Sequence, residues 1–141
     1  MGATCGRCRC REAAALSLER ACGQAGILPR DADFFEVCDS FSAYAALSLE
    51  ACGFAPKGQA LKMAAEGAFS LSGKLPLMTL GGLKARGHAL GATGVYQVVE
   101  AALQLRGQAG GSQLPNPRRA LVQSLGGPAS TAVTHVLEAS Q

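Results

Sequence analysis

The stretch GGLKARGHALGATG, residues 81–94, carries five glycines and one histidine, His88, just before a long apolar-periodic segment. A glycine-rich turn lets the backbone approach a ligand closely, and the helix that follows offers unpaired N–H groups. A histidine at such a turn can hold, take or donate a proton near neutral pH. The glycine spacing matches neither the dinucleotide fingerprint nor the phosphate-binding P-loop. The stretch alone therefore leaves a structural and a catalytic role for His88 open.

Composition limits the class of protein. The chain has 141 residues, 48% hydrophobic and 16% charged, which predicts one soluble globular domain. Its net charge of +3 comes from dispersed Lys and Arg, and only 5% of residues are aromatic, so nucleic-acid binding is disfavoured. No apolar run approaches the roughly 20 residues needed to span a bilayer, and the first twenty residues lack a secretory apolar segment. We therefore expect no membrane association and a cytoplasmic location.

Hydrophobic periodicity predicts helices that alternate with strands. Interleaved strands and helices indicate an α/β domain with helices packed on a largely parallel sheet. A glycine-containing turn at 126–128 is predicted to join the last two strands. Residues 107–117 have the composition of a surface loop. Helices are predicted over 12–24, 41–52, 57–66 and 95–105, and Asp39 or Ser40 is predicted to cap the second of them. Extended segments are predicted over 33–37, 75–79, 119–123 and 131–137.

The six cysteines fall into two groups. Three lie in CGRCRC, residues 5–10, where a C-x-x-C pair resembles half of a zinc site, but no second pair or paired histidine follows. We therefore predict no metal, and a loosely ordered N-terminal segment over 1–11 ahead of the domain at 12–141. The other three lie in apolar patterns and are expected to behave as small buried hydrophobes. They are Cys22, Cys38 and Cys52.

The stretch 81–94 resembles the signature of the thiolase superfamily, in which Gly-Gly precedes Gly-His-Pro-x-Gly-Ala-[Ser/Thr]-Gly. Its Leu-Lys-Ala-Arg form is similar to the sterol-carrier-protein-type and archaeal acetoacetyl-CoA thiolase branch. Two further stretches agree in order and spacing: AGILPRDADFFEVCDSFS, residues 25–42, and LVQSLGGPASTAVTHVL, residues 121–137. The resemblance covers the C-terminal half of the family only. It implies a single thiolase-like C-terminal domain with a mixed, mostly parallel sheet.

The resemblance also implies a function. Thiolases catalyse reversible Claisen chemistry, in which an acyl group moves between an active-site thiolate and coenzyme A. Acyl-CoA is thus the expected substrate, with no permanently bound cofactor. In the family a cysteine of the N-terminal half is acylated and the motif histidine activates it, a role that falls on His88. Imidazole beside a thiol favours the nucleophilic thiolate. The glycines expected to contact the substrate are Gly87, Gly91, Gly126 and Gly127.

Three positions depart from the family pattern. Cys38 stands where the resembling branch has a histidine that stabilises the thioester enolate oxygen, so Cys38 is assigned a catalytic position although a thiol is a weaker donor. A packing role for Cys38 stays open. Ser124 stands where many thiolases place a catalytic cysteine, and a hydrogen-bonding role is expected there. Ala89 replaces the proline after the histidine. The acidic residues Asp31, Asp33, Glu36 and Asp39 fit a turn, a strand edge and a cap, without catalysis.

The sequence contains no counterpart of the family's N-terminal half. Two hypotheses follow. The chain is a thiolase-type acyltransferase component that relies on an N-terminal half for its nucleophile. Alternatively, it is a non-catalytic acyl-CoA-binding or assembly module, or a fragment of a longer thiolase. The chain alone is expected to be inactive. An unpaired half exposes an apolar face, which favours association. We predict a homodimer or a heteromer with a thiolase N-terminal half, through the helix over 41–52.

Overall fold

The computed structural model describes residues 9–140, apart from the side chains of residues 9–11. Most of the predicted N-terminal segment 1–11, with the possible half zinc site, lies outside the described residues. The first helix begins at Arg9, three residues earlier than predicted. The eight elements are α1 (Arg9–Ala25), β1 (Phe34–Val37), α2 (Ser42–Ala51), α3 (Ala60–Ala65), α4 (Gly82–Arg86), α5 (Thr93–Leu105), β2 (Arg119–Gly126) and β3 (Thr131–Glu138).

The three strands form one mixed sheet in the order β1-β2-β3. β1 pairs with β2 in parallel, with Phe34 opposite Ala120, whereas β2 and β3 form an antiparallel hairpin. The predicted strand over 75–79 is reduced to one parallel bridge between Leu77 and Phe35. It ends there because Met78 has a φ of 42°, which turns the chain away from the sheet. The α/β class and the mixed sheet are confirmed.

Alternating residues of the strands divide the core between the two faces of the sheet. Phe35 and Leu121 pack with Leu18 of α1 and with residues of α2 and α3 on one face. Phe34 and Val122 pack with α5 on the other face. The result is a three-layer domain whose sheet lies between α1, α2 and α3 on one side and α5 on the other.

The limits of α2 and α3 also differ from those predicted, and α5 begins at Thr93, two residues early. α3 begins at Ala60 rather than at residue 57, because Gly58 has a φ of 76° that a helix does not accommodate. α2 begins at Ser42, and its N-cap, Phe41, makes no side-chain capping bond. The prediction that Asp39 or Ser40 caps this helix is wrong, because Asp39 bonds to α4 instead.

Two further predictions from the sequence concern the burial of three cysteines and membrane-spanning segments. Cys22 and Cys38 are buried and Cys52 is half-buried, all as free thiols, which confirms the prediction for the first two. Burial raises the pKa of Cys52 to about 11. Within residues 9–140 no helix is both long and apolar enough to cross a bilayer.

Candidate active site

The candidate site lies at the carboxyl ends of β1 and β2, the edge at which open α/β sheets bind their ligands. A cleft of about 530 Å³ opens there between the loop that carries His88 and the turn of the β2–β3 hairpin. Five of the residues singled out from sequence line it: His88, Gly91, Ser124, Gly126 and Gly127. Two stretches that are more than 30 residues apart in sequence thus meet at this cleft.

The segment before His88 is held by a carboxylate that follows β1 in the chain. Asp39, which follows β1, accepts hydrogen bonds from the N–H of Leu83 at 2.8 Å and of Lys84 at 3.3 Å. Gly82 has a φ of 62°, and a Cβ atom there would lie 2.7 Å from Asp39 Oδ2. The glycine pair of the motif therefore serves close backbone approach to Asp39, which fixes the start of α4.

His88 is exposed at the mouth of the cleft, and its orientation is set by one strong contact. Its Nδ1 lies 2.7 Å from Oγ1 of Thr93, the first residue of α5. Thr93 is 2% exposed, so its hydroxyl is a fixed partner. When Nδ1 carries the proton and donates to Thr93, Nε2 holds the lone pair that a general base needs. The geometry thus suits His88 to proton transfer at Nε2.

Ser124 and three of the four predicted glycines line the same cleft as this histidine. Gly94 packs against Ser124, since a Cβ atom on Gly94 would lie 3.3 Å from Ser124 Oγ. This close approach presses the first turn of α5 onto the end of β2. Gly87 lines a smaller adjoining pocket of about 240 Å³, which shares His88 with the cleft. All four predicted glycines therefore border spaces next to the histidine.

Cys38 is placed differently. It follows β1 directly and is 2% exposed, and its Sγ donates to Ser40 Oγ at 3.6 Å. Among the described residues, the lining of the His88 cleft does not include Cys38. The parallel register pairs Val37 with Gln123, so Cys38 follows its strand at the same level as Ser124. Cys38 is therefore buried at the same edge of the sheet as Ser124, and its catalytic role stays a prediction.

A buried carboxyl group lies next to these residues, and sequence reasoning gave it no function. Glu36 is fully buried on β1, and its Oε1 accepts from the N–H of Thr79 at 3.0 Å and from Thr79 Oγ1 at 3.2 Å. Its Oε2 has no hydrogen-bond partner among the described residues. Burial, with Glu100 nearby, raises the pKa of Glu36 to about 7, although bonds from Thr79 and the charge of Arg86 act in the opposite direction. The detectable signal was one acid within the apolar run Phe34–Val37.

Arg86 is engaged inside the chain. Its Nε donates to Glu100 Oε1 at 2.5 Å, and its guanidinium lies 5.2 Å from the centroid of the Tyr96 ring. Lys84 is exposed on the same short helix. Of the two cations near the glycine turn, Lys84 is therefore the one available to an anionic ligand.

A polar side chain of α5 forms hydrogen bonds to both β1 and β2 next to the site. Gln97 Nε2 donates to the backbone carbonyls of Glu36 at 3.1 Å and of Gln123 at 3.2 Å. The opposite side of this helix is apolar and exposed, with Leu90 of the preceding turn exposed by 77%. The exposed apolar residues of this surface, called the α5 outer face below, are Leu90, Val95, Tyr96 and Val99.

The predicted apolar face on the helix over 41–52 is largely wrong. Phe41 is 63% exposed, but Leu49 is buried against the core and Tyr44 and Leu47 are half-buried. This helix packs on α1 and α3 within the chain. The α5 outer face, by contrast, has four exposed apolar side chains. Within the part of the chain that the structure describes, no three His, Cys, Asp or Glu side chains come together as a metal site.

Known proteins share both the sequence and the fold. The sequence profile of the thiolase C-terminal domain-like family matches residues 7–139. An acetyl-CoA acetyltransferase of Methanothermobacter thermautotrophicus is 40% identical over 112 residues, 79% of this chain and 29% of that protein. Human sterol carrier protein 2 is 40% identical over 111 residues, 79% of this chain and 20% of that protein. The benzoylsuccinyl-CoA thiolase subunit BbsB of Thauera aromatica is 35% identical over 105 residues, 74% of this chain and 27% of that subunit.

A solved structure supports the same assignment. A chain of the Ltp2-ChsH2(DUF35) aldolase matches with a TM-score of 0.76 at 27% identity, over 89% of this chain and 31% of that one. This chain therefore spans less than a third of the length of these relatives. The profile match covers nearly the whole chain, and the three motifs that suggested the family lie inside it. This chain belongs to the thiolase C-terminal domain-like family.

Proposed function

We propose that this chain supplies the histidine side of a thiolase-type acyl-transfer site, while the acylated cysteine comes from a thiolase N-terminal half. The observation that carries the proposal is the 2.7 Å contact between His88 Nδ1 and Thr93, which leaves Nε2 at the mouth of a cleft between two glycine turns. Acyl-CoA is the substrate, and no permanently bound cofactor takes part. The similarity to an acetyl-CoA acetyltransferase supports this reaction class.

The reaction proceeds in two transfers. His88 Nε2 takes the proton of the partner's cysteine thiol, and the thiolate attacks the 3-keto carbon of an acyl-CoA. The bond between C2 and C3 breaks, and protonated His88 returns its proton to C2 of the acetyl-CoA enolate that leaves. The thiol of a second coenzyme A then gives its proton to His88 Nε2, its sulfur attacks the acyl carbon, and the cysteine leaves as the thiolate. Hydrogen bonds to the enolate oxygen lower the barrier, and Cys38 and Ser124 occupy positions at this edge of the sheet.

The partner half binds to the α5 outer face in this proposal. Leu90, Val95, Tyr96 and Val99 form an exposed apolar surface beside His88, and exposed patches of this kind mark protein interfaces. A partner on this surface would also exclude water from the cleft. The name of one relative, a thiolase subunit, supports a heteromeric assembly, and a second copy of this chain is the alternative occupant.

A chimaera tests the proposal. The segment of the M. thermautotrophicus relative that matches this chain over 112 residues is replaced by the corresponding residues of this chain, and CoA-dependent cleavage of acetoacetyl-CoA is measured. We expect turnover in the chimaera, no turnover by this chain alone, and a loss of about 100-fold to 10,000-fold in kcat with His88→Ala. The matched control is His135→Ala, which changes the other histidine of the chain, on β3. A folded chimaera without turnover contradicts the proposal.

One observation favours a second candidate, a non-catalytic acyl-CoA-binding or assembly module. Cys38 is a buried thiol where the resembling branch has a histidine, so one hydrogen-bond donor of the site is weakened. The same chimaera separates the two functions. A module binds coenzyme A by calorimetry without cleaving acetoacetyl-CoA, and its affinity does not depend on His88.

A further inference from the structure

A second concave site lies apart from the His88 cleft. It is a groove of about 420 Å³ between α2, α3 and the segment 69–78, and it shares no lining residue with the cleft. Small-molecule sites in proteins have volumes of about 300–1,000 Å³ and are mostly apolar, with a few polar groups that orient the ligand. The groove falls within that range.

The walls of the groove are apolar. Its floor is formed by Leu49 and Ala60, which belong to the buried core, and its sides by small residues of two helices together with Phe69 and Leu77. Ala45, Ala46 and Ala64 leave the space open where larger side chains would fill it. The wall along α2 from Ser42 to Leu49 is about 10 Å long at 1.5 Å per residue. These dimensions suit an unbranched aliphatic chain of medium length.

Charge at the rim is limited to two lining residues, Lys84 and Asp39. Both oxygens of Asp39 already accept backbone N–H groups of α4, which stabilise its negative charge and occupy its acceptor sites. The exposed ammonium of Lys84 therefore remains as the charge that a ligand meets. One compact cation suits one negative charge, whereas phosphates favour clusters of cations or the planar fork of arginine. The rim thus favours a carboxylate.

The backbone of the groove carries strain. Met78, which lines it, is a non-glycine residue with a φ of 42°. Hydrogen bonds hold this conformation, since Met78 N–H donates to the carbonyl of Phe35 at 3.1 Å and Gly81 N–H donates to the carbonyl of Met78 at 2.6 Å. Such conformations cost about 1–3 kcal/mol and concentrate at ligand sites and switches. Here the strain turns the chain so that Leu77 and Met78 both border the groove.

We propose that this groove binds a medium-chain fatty carboxylate, with the aliphatic chain along α2 and the carboxylate at Lys84. This site is independent of the proposed acyl transfer at His88, because the two sets of lining residues do not overlap. A lysine on a four-carbon stem reaches over apolar surface while its charge stays at the rim, which fits a ligand with an apolar tail and a charged head.

Calorimetric titration of the intact chain with decanoate, below its micelle concentration, tests the proposal. We expect one decanoate per chain, bound more tightly than decanol, and no binding of acetate. Lys84→Gln should weaken decanoate binding about threefold and remove the preference over decanol. Lys57→Gln is the matched control, since it changes an exposed lysine outside the groove. Equal affinity of wild-type protein for decanol and decanoate would overturn the assignment of Lys84.

A second pair of variants tests the apolar walls. Ala64→Phe places a ring in the groove from an exposed position of α3, so the core is not disturbed, and should weaken decanoate at least about tenfold. Ala65→Phe, the next residue of the same helix, lies outside the lining and should leave affinity unchanged. Binding that is insensitive to Ala64→Phe, or absent at millimolar decanoate, overturns the proposal. So does a groove that holds a second copy of the chain, seen as a dimer in sedimentation that Ala64→Phe dissociates.

Neither outcome depends on the acyl-transfer proposal. If wild-type protein binds decanoate and the chimaera is inactive, the proposed acyl transfer is contradicted and the proposed fatty-carboxylate site is supported. If the chimaera is active and decanoate does not bind, the proposed acyl transfer is supported and the fatty-carboxylate site is contradicted. Circular dichroism of each variant separates a lost site from a lost fold.

Discussion

The two helices that cover the sheet, α1 and α5, bury opposite kinds of side chain. α1 turns Ala14, Leu18 and Cys22 inward, as an amphipathic helix at the surface of a finished domain does. α5 buries Thr93, Gln97, Glu100 and Gln104 along with Ala101, and exposes Val95, Tyr96 and Val99. Buried polar groups and exposed apolar patches are the informative exceptions to ordinary burial.

This difference in buried side chains indicates that the two faces of the sheet have different roles. The inner side of α5 is polar because it bonds the strand ends and a loop: Gln97 holds two strand carbonyls, and Gln104 donates to the carbonyl of Ser112 at 2.6 Å and accepts from the N–H of Leu114 at 3.0 Å. The α1 face contributes stability, and the α5 face positions the candidate site and presents an apolar exterior. Four predictions test this division.

The largest effect is expected from paired truncations on the two sides. Phe35→Ala removes a fully buried ring whose centroid lies 5.4 Å from that of Phe54, and should lower the free energy of unfolding by about 3–5 kcal/mol. Val99→Ala on the α5 outer face should change it by less than about 0.5 kcal/mol in the isolated chain. Urea denaturation measures both. A cost of several kcal/mol for Val99→Ala would show that the α5 outer face is packed within the chain.

The next effect concerns Glu36, on the α5 side of the sheet. Its folded pKa of about 7 lies above the ordinary value of 4.5, so the folded protein binds more protons than the unfolded chain between these pH values. The free energy of unfolding should therefore fall as pH rises from about 4.5 to 7, by up to about 3 kcal/mol, and level off above that. Glu36→Gln should abolish this decline in denaturation measured across pH 4–8.

Glu66→Gln is the control for that series, because Glu66 is an exposed carboxylate on the surface of the domain. It should retain the wild-type slope. A Glu36→Gln variant that declines as steeply as the wild type would show that the Glu36 carboxyl ionises normally in the fold.

A smaller effect is expected where α5 meets His88. Thr93→Val keeps the shape of a buried side chain and removes the hydroxyl that lies 2.7 Å from His88 Nδ1, so kcat in the chimaera should fall about 10-fold to 100-fold. Thr93→Ser should restore most of it. The pH profile of kcat should shift in Thr93→Val alone, which a merely structural role of Thr93 would not produce.

The smallest effect is expected from Cys38. A thiol is a weak hydrogen-bond donor, so Cys38→Ala should lower kcat in the chimaera by less than about tenfold. Its unfolding free energy should fall by about 1 kcal/mol, since a small buried side chain is shortened. An unchanged kcat with that loss of stability would assign Cys38 to packing alone.

The sequence predicted the elements whose signals are local. α1, α5, β1 and the hairpin strands were predicted within a few residues, because their periodicity and their glycine stops lie within the element itself. In the structure His88, Gly91, Gly126 and Gly127 line one cleft, and the roles of these residues stay predictions. Periodicity does not contain this contact, because it joins segments more than 30 residues apart.

The features that were missed depend on distant partners. The sequence predicts Asp39 as a local cap for α2. In the structure its carboxylate instead accepts a hydrogen bond from Leu83 N–H of α4, 44 residues later in the chain. Glu36 looked like a strand-edge acid, and only the sheet and α5 together bury it. The extended segment before Thr79 was reduced to one bridge by the turn at Met78. None of these partners is visible in a sequence window.

The bond from Asp39 to α4 has a consequence for the order of folding. α4 has five residues, too few to persist as an isolated helix, and two of its first N–H groups depend on Asp39. The segment that carries His88 therefore cannot become ordered until β1 and the residues after it are in place, across a loop of more than 40 residues. Slow hydrogen exchange at the Leu83 amide would thus report, from a distance in the chain, that the sheet edge has formed.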